Sequence, residues 1–497
     1  MIPALLALLL FDQRPPAAEA ARRFHEANAA RLVRDYAELL SIPNIASDKA
    51  NIRRNAEHVA RMFGRAGAKT ELIEAPDANP AVYAEVNVPA AQRTLMFYAH
   101  YDGQPVIPER WAGGAPFTPM LRTAPLEAAG QALPLDQPEY NREWRLFARS
   151  ASDDKVSVFA LWAALMALRE SGIPLKSNLR FFFEGEEEAG STHLRALLER
   201  AGSRLRGDVW VLCDGSVHQS RNQRIVLGAR GVATVEIAVF GAKRGLHSGH
   251  YGNWAQNPAL LLARLLASMT GGEGRVLVKG FYDDVVPLTA EERLAIAAIP
   301  AVDEPLKREL GIAATQPFGG LLRESIYQPS LNVRGLESGG VGERASNEIP
   351  PVARASIDLR LVKGVDGRRQ TARVVEHIRE QGFFVLEGRD PTEEERLRHA
   401  KIARADADPG YNALRTPLGL PIVQEILTVA RSVRPPVYLE PSFGGSLPLA
   451  VFEEVTKAPL VIVPISNHDD SQHTHNENIR LGNLWDGIEL YAALLAM

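Results

Sequence analysis

The stretch NLRFFFEGEEEAGS, residues 178–191, is an apolar run that ends in consecutive carboxylates. Its first seven residues carry three phenylalanines in succession and read as a strand buried on both faces, as strands of a parallel sheet are. Two other runs are built alike: TLMFYAHYD (94–102) and DVWVLCD (208–214) are apolar until they close on His or Asp. Helical patterns separate them, a long apolar one at Val156–Ser171 and a shorter one at His193–Ala201. Strands alternating with helices predict an α/β fold, a mixed sheet with helices on both faces. In such sheets ligands bind beyond the carboxyl ends of the strands, where these acidic residues fall.

Working outward, amphipathic helices are expected over Ala21–Leu40 and Asn51–Gly64, followed by short strands in ELIEA and AVYAEVNV. After the GARG of residues 228–231 the pattern changes. VATVEIAVF and RASIDLRLV alternate as half-exposed strands, with helices near Pro258–Thr270 and Gly367–Gln381. Residues 231–415 thus read as an α+β domain inserted between 21–230 and 416–497, and the first pattern returns in PIVQEILTVARSV and PLVIVPIS. The Pro/Gly/Asp-rich stretches 103–141 and 386–412 read as long loops.

The chain has 497 residues, 46% hydrophobic and 23% charged, which is globular composition. A net charge of −4 gives no field favouring nucleic acid or an anionic membrane, so small molecules are the expected ligands. One cysteine, Cys213, excludes an internal disulfide and a thiolate zinc cage. The apolar run Ile2–Phe11 is too short to span a bilayer, so no stable membrane anchor is expected. It precedes Ala18-Glu19-Ala20, a small-x-small site. Residues 1–20 therefore read as a short signal peptide, though without Lys or Arg ahead of the apolar part. That reading makes the protein periplasmic or secreted; otherwise it is cytoplasmic.

The candidate ligands share one location. His100 and Asp102 follow one strand, Asp153 and Asp154 precede a helix, Glu186-Glu187-Glu188 follow a second strand, and Asp214 follows a third. Carboxylates crowded behind an apolar strand are costly unless paired, hydrogen-bonded or bound to a cation. Imidazole and carboxylate donors without thiolates suit Zn²⁺, or Mn²⁺ or Co²⁺. Two ions about 3.5–4 Å apart can hold a water between them and lower its pKa, while a free carboxylate takes its proton as it attacks a carbonyl. Taken singly, a His-x-Asp pair or a Glu run is an ordinary surface feature; their ordered co-occurrence points to hydrolysis of an amide.

In these residues the sequence resembles the di-zinc metallopeptidase family of carnosinase, aminoacylase-1, succinyl-diaminopimelate desuccinylase and the glutamate carboxypeptidases. The blocks that carry the resemblance are AHYDGQP (99–105), RSASDDK (149–155), EGEEEAGS (184–191), Asp214 and QHTHNENI (472–479); LHSGHYGN (246–253) resembles the family's lid-domain histidine motif, and FGGSLPLAVF (443–452) looks most like the carnosinase-type branch. It implies a catalytic domain with an inserted lid and dimerisation domain, and a homodimer. His100, Asp153 and Asp214 would hold one metal and Asp153, Glu188 and His473 the other, with a cis peptide at Asp153–Asp154. Glu187 would be the general base, Asp102 would orient His100, and His247 would reach a partner's site to stabilise the oxyanion. Arg360 would grip a substrate carboxylate, with Asn347, Gly445 and Ser446 lining the same pocket.

Within the last block, the family's ligand lies three residues before the Asn of an Asn-Glu pair, which selects His473 over His475; His468, Asp469 and Asp470 are given no role. Ala148-Arg149-Ser150 and Lys155-Val156 depart from the Gly-Arg-Gly and Lys-Gly common in relatives. The implied activity is cleavage of a dipeptide or a carboxypeptidase substrate. The alternatives are an N-acyl amino acid deacylase and, in another class, an inactive binding protein.

Overall fold

The computed structural model describes residues 14–112 and 114–497, so the apolar stretch Ile2–Phe11 lies outside the described residues. Two compact units share the chain. The first comprises residues up to Leu227, Thr416–Glu440 and Val451–Met497; the second comprises Gly228–Arg415 and Pro441–Ala450.

The first unit is organised by an eight-stranded mixed sheet. From edge to edge its strands are Lys69–Ile73, Ala81–Val86, Asn178–Glu184, Thr94–His100, Val209–Leu212, Leu460–Ile462, Gln223–Val226 and Val437–Glu440. The four central ones, from Asn178–Glu184 to Leu460–Ile462, run parallel. Both faces are covered, as the near-continuous apolar sequence of these strands requires. Phe97 and Phe181 pack with Phe63 of the helix Lys49–Arg65 on one side, while Tyr98 and Trp210 pack on Phe452 on the other. The helix Lys155–Glu170 is buried along almost its whole length, and the helix Leu481–Leu495 packs on it.

The N-terminal helix opens at Pro16, not near Ala21. Proline at the first turn loses no helical hydrogen bond and presets φ, and the alanines behind it are buried, so the helix extends to the proline. The small-x-small site Ala18-Glu19-Ala20 therefore lies inside a packed helix, with Ala18 and Ala20 fully buried. Arg14 and His25 both pair with Glu489 of the C-terminal helix, at 2.7 and 3.0 Å.

Other differences have local causes. The stretch 103–141 is not all loop: Met120–Arg122 and Ala132–Leu133 form a small antiparallel sheet with Arg145–Phe147 and Asn478–Arg480. The stretch 386–412 contains the helix Glu393–Arg398, begun by a reciprocal Thr392–Glu395 cap, and the whole of the strand Ile402–Tyr411. Polar, Gly- and Pro-containing sequence concealed both.

In the second unit a sheet runs Ser330–Glu337, Val352–Leu361, Gly228–Phe240, Ile402–Tyr411 and Phe384–Leu386. One face packs Ala233, Val235, Ile237 and Val239 against Leu262 and Leu265 of one helix and Val374 and Ile378 of another. Phe443–Ser446 adds a parallel pairing to the start of the central strand, which joins residues 441–450 to this unit rather than to the first.

Candidate active site

The parallel strands deliver the predicted acidic residues to one end of the first unit's sheet. His100 closes its strand and is fully buried, as is Asp102 two residues on. Asp102 accepts hydrogen bonds from the backbone N–H groups of Glu187 and Glu188 at 3.1 and 3.0 Å, and its Oδ1 lies 3.3 Å from His100 Nδ1. One carboxylate thereby orients an imidazole and the turn that carries the next two acids.

The three consecutive glutamates diverge. Glu186 turns away and accepts from Asn79 N–H at 3.0 Å and from His193 N–H and Nδ1 at 2.8 Å each, which fixes the loop. Glu187 places Oε2 4.0 Å from His100 Nε2. Glu188 lies 3.2 Å from His473 Nε2 and accepts from Gln104 at 2.8 Å.

Asp153 stands between two histidines, with Oδ1 3.0 Å from His100 Nε2 and Oδ2 3.0 Å from His473 Nε2. Its peptide bond to Asp154 is cis. His473 has a φ of 59°, in the left-handed region that disfavours side chains with a Cβ, within a loop where Ser471 and Asn476 share that conformation. His475 is exposed, and its ring pairs with the neighbouring Thr474 hydroxyl. Asp469 forms ion pairs with Arg145 and Arg480 that brace the loop.

Two donor sets result, His100 with Asp153 and Asp214, and Asp153 with Glu188 and His473; within each, the donor atoms all lie within 4.8 Å of one another. Their electrostatics call for cations. Burial pushes Asp214 up to about 7, with Asp153 adding repulsion. Burial also drives Glu187 well above the usual carboxylate range, against the pull of His100. His473 is raised to about 10 by its bonds to Asp153 and Glu188. Two imidazoles cannot neutralise this many buried carboxylates, so the residues present fit a pair of divalent ions.

Sequence reasoning passed over several residues that shape the site. Gln472 donates to Asp153 Oδ2 at 2.7 Å, as Gln104 does to Glu188. The buried Glu477 accepts from Ser150 N–H, Ser152 N–H and hydroxyl, Asp153 N–H and Arg149, all at 2.8–2.9 Å. Trp111 lies under the Arg149 guanidinium, 5.5 Å from its ring centre, which shows where the loop beginning at residue 106 packs. The sequence signal for Glu477 is its place in the Asn476-Glu477 pair.

The remaining predicted residues lie in the second unit, in two groups. His247 is exposed and pairs in register with Glu348, next to Asn347, whose carbonyl accepts from Ser248 N–H at 2.9 Å. Arg360 donates to Asp358 at 3.0 Å and to Ser446 Oγ at 2.8 Å. Gly445 precedes that serine, and a Cβ there would stand 2.6 Å from the Phe443 ring.

A shared carboxylate between two ligand sets at the carboxyl ends of parallel strands, with a further glutamate beside them, defines a two-metal hydrolase. The chain belongs to peptidase family M20/M25/M40, whose family model matches residues 96–497. It is 26% identical to the Cys-Gly metallodipeptidase dug1 of Schizosaccharomyces pombe over 91% of this chain and 92% of that protein. It is 28% identical to the human Beta-Ala-His dipeptidase over 83% and 76%. Among solved structures it is similar to an M20 family metallo-carboxypeptidase from Sulfolobus solfataricus, with a TM-score of 0.74 and 27% identity, over 94% of this chain and 98% of that one. This chain is a metallopeptidase of that family. No helix among the described residues is long and apolar enough to cross a membrane.

Proposed function

We propose that the protein hydrolyses the peptide bond of small peptides bearing a free carboxylate, as a dipeptidase or carboxypeptidase. The observation that carries the reading is Asp153, whose two oxygens serve separate histidines at 3.0 Å each. In this reading His100, Asp153 and Asp214 hold one divalent ion and Asp153, Glu188 and His473 the other, with Zn²⁺ the best match to the donors and Mn²⁺ or Co²⁺ the alternatives. Bound there, the ions supply Lewis acidity and lower the pKa of water in the site.

The chain's own groups do the rest. Glu187 takes the proton of the attacking water and returns it to the leaving amine as the C–N bond breaks. Asp102 holds His100 and the 187–188 turn in place. Arg360, steadied by Ser446 and Asp358, takes the substrate carboxylate through its fork, with Asn347 and Gly445 lining the pocket. His247 Nδ1 accepts from Gly249 N–H, which leaves Nε2–H free to donate to the oxyanion in a partner protomer's site, so the working unit is a homodimer. The apolar stretch Ile2–Phe11 supports export to the periplasm or medium; without a working signal the protein is cytoplasmic.

The test is hydrolysis of a dipeptide panel and an N-acyl amino acid panel by chelator-stripped protein, with Zn²⁺, Mn²⁺ or Co²⁺ restored singly. Metal-dependent cleavage of dipeptides is the expected result. Cleavage confined to N-acyl amino acids moves the enzyme to deacylation with its site intact, and no cleavage with any metal leaves a binding protein.

A further inference from the structure

The central strand of the second unit begins with a buried guanidinium that no ion pair neutralises among the described residues. Arg230 is 8% exposed. One Nη donates to the Gln328 carbonyl at 2.8 Å and to Ser330 Oγ at 3.1 Å, and Nε has no hydrogen-bond partner. The register aligns Val232 with Arg360, so Arg230 and Arg360 fall on one face of the sheet. Asp358, the acid two residues from Arg360 on that face, is engaged by Arg360 at 3.0 Å, and Glu236 further along the strand is engaged by Arg334 at 2.9 Å. Burial and the nearby Arg360 pull the Arg230 pKa down to about 10. A buried cation without a counter-ion is expensive, and an anion at Nε would offset that cost.

The space for one is present. Arg230 lines a cavity of about 300 Å³ whose apolar wall includes Tyr282, Phe318 and Leu322 and whose polar lining includes Gln316 and Asp303. The aromatic wall is braced from outside the cavity by Arg275, whose guanidinium lies 4.7 Å from the Tyr282 ring centre and 5.0 Å from that of Phe318. Asp303 is fixed by Leu322 N–H, which donates to its Oδ1 at 2.8 Å. None of the residues assigned to metals, general base or substrate carboxylate lines this space.

We propose that this cavity is a separate binding site for a free amino acid with an apolar side chain, its carboxylate on Arg230 and its side chain against Phe318 and Tyr282. Asp303 in the same lining opposes a second negative charge and favours the ligand's ammonium group, which selects a zwitterion over phosphate or a dicarboxylate. The ligand is of the class that the proposed peptide hydrolysis releases. Binding here needs no metal and stands whether or not the proposed reaction does.

Calorimetry on the chelator-stripped full chain tests it, with L-phenylalanine, phenylacetate, phenethylamine and inorganic phosphate as probes. An Arg360→Ala background removes carboxylate binding at the other guanidinium. L-Phenylalanine should bind, phenylacetate more weakly, and phenethylamine and phosphate not at all. Arg230→Gln should weaken L-phenylalanine by about tenfold or more, the worth of one charged hydrogen bond. Thr315→Trp, at an exposed position of the lining, should obstruct the cavity without touching the buried arginine. No binding of L-phenylalanine, binding of phosphate in its place, or affinity unchanged in Thr315→Trp would overturn the assignment.

Discussion

Glu477 Oε1 accepts the backbone N–H of Asp153 at 2.9 Å, so a fully buried carboxylate near the C-terminus sets the position of the residue both ligand sets share. It does so with the rest of the turn in hand, through Ser150, Ser152 and Arg149. Glu477→Gln leaves one acceptor and sets an amide NH₂ against a donor. The expected outcome is a loss of metal affinity of about 10–100-fold, the usual effect of removing support behind a ligand. Competition with a chromophoric chelator measures it. Unchanged metal affinity with only a lower melting temperature would show that Glu477 serves the fold and not the site.

On the proposed mechanism, substitutions at Glu187 and His473 should separate chemistry from metal retention. Glu187→Gln should keep two metal equivalents and lose roughly 10²–10⁴ in kcat, the range ascribed to general acid–base groups. His473→Ala should lose one equivalent, because His473 supplies the sole histidine of its ligand set. Elemental analysis after dialysis, beside kcat and KM on one dipeptide, tests both. A Glu187→Gln enzyme with parental kcat would refute the proton-transfer role.

The legible parts of this chain are those whose physics is written in consecutive residues. Asn178–Glu184 and Thr94–His100 declare themselves because a strand buried on both faces must be apolar throughout, and the acids behind them because such crowding needs a cation. Gln223–Val226 and Met120–Arg122 are too short to show a period. The edge strand Ser330–Glu337 is largely exposed, so SLNVRGLE carries no burial pattern. Gln104 and Gln472 are neutral amides whose contacts with Glu188 and Asp153 depend on loop geometry. The cavity around Arg230 joins residues 230 to 331 across several elements, and no local pattern announces it.

Glu184 gives a stability signature of its own. Burial pushes its carboxyl up to about 8 from an ordinary 4.5, and the Tyr98 hydroxyl donates to it at 2.7 Å. A carboxyl whose folded pKa exceeds its unfolded one stabilises fully below the unfolded value, and that contribution is lost as pH rises through the folded value. Stability should therefore fall between pH 4.5 and 8 on this account, with a slope of at most about 1.4 kcal/mol per pH unit. Glu184→Gln keeps an acceptor for Tyr98 and removes the share of the slope that Glu184 contributes, leaving that of other raised carboxyls such as Asp214. Urea midpoints of the chelator-stripped proteins from pH 5 to 9 should converge at the acid end and favour the variant at the alkaline end; parallel curves would sink the idea.

Gly445 tests whether Arg360 reads the substrate carboxylate. A Cβ at this position would stand 2.6 Å from the Phe443 ring, a separation that real contacts do not allow, so Gly445→Ala must displace that ring or the strand that ends at Ser446. Ser446 Oγ is the acceptor that steadies Arg360 Nη1 at 2.8 Å. With that support shifted, KM for a dipeptide should rise by about tenfold while kcat changes little, because the lost interaction is made equally in ground and transition states. Ser446→Ala should act in the same direction without altering the backbone. The same peptide with its C-terminus amidated should show no difference between parent and variants, since it offers Arg360 no carboxylate. A fall in kcat at constant KM, or an equal loss on the amidated peptide, would place Arg360 and Ser446 outside carboxylate recognition.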